Sequence, residues 1–109
     1  MGREFHQLTG FQRDVLAATS IVERRTDRTI GLSIRETLES KGYEPIQGGR
    51  LYPALDELVS EGLLTKGPDP EDDRANRYGV TEEGQRLLRE LFEFHDQAVS
   101  ARDPEVTEA

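Results

Sequence analysis

The chain contains no cysteine, no tryptophan, a single methionine and, among its 14 cations, only two lysines, Lys41 and Lys66. Without cysteine there is no disulfide framework and no zinc site built on thiolates. Long apolar runs are missing as well. Nothing approaches the roughly 18 residues of a membrane span, and no apolar stretch follows a basic start as in a secretion signal. The expectation is a soluble cytoplasmic protein with no membrane contact. Catalytic signatures are absent too. His6 and His95 are the only histidines, and Glu93, His95 and Asp96 do not share a helical face, so no metal site is expected. Ser33, Ser40, Ser60 and Ser100 have no base placed near them, and Gly48-Gly49 lacks the lysine and spacing of a phosphate loop. The reading is of a non-enzyme without a cofactor.

What is abundant is acid. Twenty-two carboxylates against 14 cations leave the 109-residue chain at −8, the wrong sign for a surface that binds phosphate. The acid is unevenly spread. Residues 1–68 sum to −1 and residues 69–109 to −7. High acid with scarce lysine is the composition expected of a protein working in concentrated salt, and a halophilic source is the inference.

Local signals then order the chain. Thr9-Gly10-Phe11-Gln12 fits a capping box. Apolar residues at Phe11, Val15, Leu16, Ala18, Ile21 and Val22 carry a helix into the charged cluster 23–28, read as a solvated end. Thr29-Ile30-Gly31-Leu32 fits a first short strand or a helix lead-in equally well. Ser33 is placed as the cap of a second helix, with Glu36 as its box partner and Gly42 as its stop. A third helix starts near Gly48 or Gly49, leaving Pro53 in or just after the first turn, where a missing N–H costs least. Leu51, Leu55 and Leu58 form its inner stripe, while Arg50, Tyr52, Pro53 and Asp56 lie elsewhere on the wheel.

Gly62 ends that helix and Leu63-Leu64-Thr65 reads as a short strand. The block Gly67-Pro68-Asp69-Pro70-Glu71-Asp72-Asp73 is turn-forming and acidic, and no packed element is expected within it. Asn76 to Val80 returns as a second strand. Thr81 caps a long last helix, with Glu82 and Glu83 at its favourable end for negative charge. Its apolar stripe runs through Leu87, Leu88, Leu91, Phe92, His95, Ala98 and Val99.

Helix, strand, charged hairpin, strand, helix is the order of a winged helix. The fold class expected is α+β, mainly α: a winged helix-turn-helix over residues 9–80. An N-terminal arm (1–8) precedes it, and a dimerisation helix (81–102) and a disordered tail (103–109) follow. A groove-reading helix needs exposed donors near its N-terminus. Gln47, Arg50 and Tyr52 supply them, beside Gly49 and Pro53 and with Ser33 on the preceding helix. Arginine can pair bidentately with guanine and glutamine with adenine. Lys66, Arg74, Asn76 and Arg77 would track phosphates from the base of the wing, with the acidic tip turned to solvent. A domain this small cannot cover both faces of the last helix. Leu87, Leu88, Leu91, Phe92, His95 and Val99 are therefore assigned to a homodimer interface, joined by Phe5, Leu8 and Phe11.

At Gly49-Arg50-Leu51-Tyr52-Pro53-Ala54-Leu55, then Leu58, Glu61-Gly62-Leu63, Arg77-Tyr78 and Thr81-Glu82-Glu83-Gly84, the chain resembles the PadR family of transcriptional regulators. The resemblance covers roughly residues 8–95. It implies a homodimeric winged helix that binds operator DNA, usually as a repressor, with the last helix in the dimer interface. It also implies that Arg50 and Tyr52 lie on the reading helix and Arg77 on the wing. Double-stranded DNA and a second copy are thus the expected partners. A small-molecule effector is possible within the family, although the short C-terminal region leaves little material for its pocket. A winged helix used for protein contacts, with its acidic surface as the working face, is the competing reading.

Overall fold

The computed structural model describes residues 7–100. Four helices and one antiparallel hairpin follow in the order α1 (Gly10–Arg25), α2 (Gly31–Ser40), α3 (Gly48–Ser60), β1 (Leu64–Asp69), β2 (Asp72–Val80) and α4 (Glu82–Ser100). This is a winged helix extended by a C-terminal helix. Phe5, most of the expected arm and the expected tail lie outside the described residues.

Helix ends are set by side chains visible in the sequence. The Thr9 hydroxyl accepts the Gln12 N–H at 3.1 Å, and the Gln12 side chain accepts the Thr9 N–H at 2.9 Å, which closes the box at the start of α1. Both α2 and α3 end on a glycine with positive φ, Gly42 at 115° and Gly62 at 80°. The paired closing bonds Tyr43 N to Leu38 O and Gly42 N to Glu39 O form around the first. Leu63 N to Leu58 O and Gly62 N to Val59 O form around the second. A residue with a Cβ resists that left-handed turn, and glycine does not.

Two expectations are corrected. Ser33 does not cap α2; it sits inside the first turn, and its hydroxyl accepts the Ile30 N–H at 3.1 Å. The reason is upstream. Ile30 is extended and bridges to Arg77 on β2, while the Tyr78 N–H donates to the Thr29 carbonyl at 2.8 Å. The chain is therefore held as a one-residue strand up to Ile30 and turns helical at once, so both readings of that stretch hold in succession. The second correction concerns the acidic block. Gly67, Pro68 and Asp69 continue β1, and Asp72 already belongs to β2, so the hairpin turns on Pro70 and Glu71 alone. In a two-stranded sheet each strand has a free edge, where a proline's missing N–H is tolerated.

The core joins α1, α2 and α3 to the hairpin through Val15, Leu16, Ile34, Leu51, Leu55, Leu58 and Leu63, all essentially solvent-free. Leu8 and Leu87 belong to this core as well. Burial within their own protomer removes both from the expected dimer surface. Thr81 starts α4, its hydroxyl accepting the Gly84 N–H at 3.0 Å and donating to the Gly62 carbonyl at 2.7 Å. Gly84 is needed there, because a Cβ would lie 2.4 Å from the Leu63 carbonyl oxygen and 2.7 Å from a Val80 methyl. Among the described residues no helix is long and apolar enough to cross a membrane.

Candidate nucleic-acid interface

Helix α3 buries Leu51, Ala54, Leu55 and Leu58, which turns Gly49, Arg50, Tyr52, Pro53 and Asp56 outward. Gln47 occupies the N-cap without a side-chain cap bond, leaving its amide exposed. Nothing lies within 4 Å of where a Cβ on Gly49 would sit, so that surface is open to a ligand backbone. Pro53 stands beyond the first turn and has no N–H for the Gly49 carbonyl. From Gln47 to Leu55 the chain carries no carboxylate and one cation, Arg50. In so acidic a molecule, a helix start free of carboxylates meets a polyanion with less repulsion than the acidic segments do.

The flanks of α3 are pre-arranged. The Arg50 guanidinium lies over the Phe11 ring, 3.9 Å from its centroid, and 5.6 Å from that of Tyr43. The two rings meet edge to face, and the Tyr43 hydroxyl donates to Asp14 at 2.5 Å, a bond that raises its pKa. Phe11 is half-buried, packed against the core of its own protomer and beneath Arg50. A stack of this kind at an exposed site is worth about 0.5–1 kcal/mol, whereas a bidentate contact to guanine contributes roughly 1–3. The stack is weak enough for a bidentate partner to displace it. On the other flank the Tyr52 ring lies across the start of α2, so close that a Cβ on Gly31 would fall 2.5 Å from its hydroxyl.

The wing's cations are all engaged with acids. Lys66 donates to Asp56 of α3 at 3.0 Å, which raises its pKa. Arg74 reaches Asp72 at 3.4 Å and remains almost wholly exposed. Asn76 is half-buried opposite Pro68. Arg77 donates from Nε to one oxygen of Asp69 at 2.9 Å, and Arg28 donates to the other from Nε at 2.9 Å and Nη2 at 2.5 Å. The Asp69 side chain is sealed from solvent. Arg28 above all, with Arg77 in support, holds its carboxyl below the ordinary range, and burial opposes them. Sequence reasoning missed both Arg28 and Asp69. Arg28 looked like part of a solvated cluster, and its partner lies 41 residues away.

Along α4, Leu87 faces the core, Leu88 and Leu91 are half-buried, and Phe92 (70% exposed), Phe94 and Val99 (68%) stand outward. His95 is exposed, with Nδ1 2.8 Å from the Leu91 carbonyl. Phe94 was left out of the sequence reading, although its spacing of three from Leu91 and seven from Leu87 places it on the same stripe. An open groove of 470 Å³ between α1 and α4 is lined by Arg13, Ala17, Leu88, Leu91 and Phe92.

This fold and this exposed helix define a winged-helix DNA-binding regulator. The model of the PadR-like family of transcriptional regulators matches residues 20–90, and the chain belongs to that family. A complex of H. salinarum RosR is 33% identical over 88% of this chain and 80% of its own, with a TM-score of 0.74. RosR crystals grown from NaBr gave a structure 34% identical over 83% of this chain and 76% of its own, with a TM-score of 0.65. A MarR variant of E. coli bound to operator DNA shares the fold at 22% identity, covering 93% of this chain and 66% of its own, with a TM-score of 0.67. Comparison with curated proteins gave no match.

Proposed function

We propose that this regulator is a cytoplasmic homodimeric repressor that occupies a pseudo-palindromic operator. The observation that carries the reading is the carboxylate-free run Gln47–Leu55, whose outward side chains on α3 include the ring-stacked Arg50 beside Tyr52 and Pro53. Gln47, Arg50 and Tyr52 read or position the major groove, with Gly49 and Pro53 allowing close approach. Lys66, Arg74, Asn76 and Arg77 contact backbone from the wing. Ser33, half-buried with its hydroxyl committed to the Ile30 backbone, is left out of this set. The second copy covers Leu88, Leu91, Phe92, Phe94, His95 and Val99, since two-fold pairing sets two reading helices on successive turns of the duplex. No small-molecule effector is assigned.

The test is binding of the purified protein to its own upstream DNA across a salt series. Arg77→Ala should weaken binding about equally on all sequences, and Arg50→Ala should also relax specificity. Unchanged affinity in both variants would sink the assignment. Engagement of every wing cation by an acid favours the competing protein-interaction module. That reading requires no duplex binding at any salt.

A further inference from the structure

Around Asp69 two guanidiniums are brought side by side, an arrangement that like charges resist unless anions intervene. Asp69 supplies one anion from beneath. The other is Glu71, in the hairpin turn, with one carboxylate oxygen 3.6 Å from Arg28 Nε and the other 3.6 Å from Arg77 Nη2. These contacts differ in kind from those of Asp69. They exceed hydrogen-bonding distance, and the Glu71 side chain is 64% exposed, so water screens them and they hold weakly. Arg28 and Arg77 themselves keep 32% and 31% of their side-chain surface in solvent.

We propose that Arg28 and Arg77 form a seat for a DNA backbone phosphate, and that Glu71 occupies it in the free protein. A phosphodiester presents two anionic oxygens as a carboxylate does, and arginine binds such pairs with short, charge-assisted hydrogen bonds. Those outcompete the long contacts of Glu71, which swings out into water on an exposed turn. Asp69 stays in place and aims both arginines. The seat adjoins the reading helix through a short run of chain: Arg28 precedes Thr29, Ile30 bridges to Arg77, and Gly31 lies beneath the Tyr52 ring. This inference rests on the operator reading above, and adds to it a phosphate ligand, Arg28, together with a built-in competitor.

The experiment is a fluorescence-anisotropy titration of a labelled duplex from the protein's own upstream region, at fixed salt. Glu71→Gln should tighten binding roughly threefold, the scale of one screened ion pair. Asp73→Asn, which removes another exposed wing charge with no arginine contact among the described residues, should give a smaller gain. In an Arg28→Ala or an Arg77→Ala background the Glu71→Gln gain should vanish, and Arg28→Ala alone should lower the salt slope by about one. Equal gains from Glu71→Gln and Asp73→Asn, or a gain that survives both arginine deletions, overturns the seat while leaving the operator reading intact. Failure of the wild-type protein to bind any duplex overturns both.

Discussion

At Gly84 a hydrogen stands where any other residue would drive a methyl group into the Leu63 carbonyl. The obstacle is backbone, with little freedom to retreat, so Gly84→Ala should cost about 2 kcal/mol in a urea titration. Asp69 makes a second residue-level prediction, in pH. Its pKa is lowered in the native state, so the unfolded chain binds the proton more readily. The stability it confers is therefore complete above the ordinary aspartate pKa of about 4, and is lost as pH falls below that through the native value. Asp69→Asn should flatten this part of the stability profile, and an unaltered acid limb would refute the account. None of this could be read from local sequence. A buried acid and a solvated one look alike in a turn-forming block, and only the approach of Arg28 from another element tells them apart.

Among the elements, those whose ends are written in one or two residues were the most legible. The Thr9 box, the glycine stops at Gly42 and Gly62, and the Thr81 cap all appear in the structure where their chemistry indicated. Thr81→Ala should cost about 1 kcal/mol for the lost cap, measured by thermal or urea unfolding. The hairpin was underestimated because glycine, proline and aspartate read as breakers, whereas pairing across a two-stranded sheet tolerates them. Ser33 was misplaced because the bridge that fixes the helix start at Gly31, three residues earlier than a Ser33 cap implies, is a long-range contact. The stripe on α4 was visible, but periodicity does not say what covers it. Its first half serves the protomer core and its second half remains exposed. Leu87→Ala should accordingly destabilise the fold by about 3 kcal/mol. Phe92→Glu, on the exposed part, should leave folding intact and yield a monomer by light scattering. A Phe92→Glu dimer would refute the proposed interface.

For the molecule as a whole, shape and charge argue together. The Cα radius of gyration is 15.8 Å, against about 13 Å for a compact chain of this length, because α4 extends beyond the domain it caps. A chain at −8 repels itself as well as DNA. Screening relieves both effects, so the urea midpoint should rise as KCl is raised toward molar levels, as expected of the salt-adapted origin inferred from composition. A flat or falling midpoint would count against that origin. The family was legible because its run from Gly49 to Leu55 couples buried leucines to exposed donors in a single stretch. The arrangement of cations around Asp69 was not, since it depends on three segments meeting.

The join between Gly62 and Gly84 has one further consequence. The end of α3 and the start of α4 are tied there twice, by the Thr81 hydroxyl on the Gly62 carbonyl and by the side-chain-free contact of Gly84 with Leu63. In the proposed dimer, α4 holds the partner and α3 holds the duplex, so this join acts as the fixed corner of a calliper whose opening equals the half-site separation. A calliper locked at its corner measures one distance. Operators lengthened by a single base pair between half-sites should bind poorly, while changes to the spacer's sequence at constant length are tolerated.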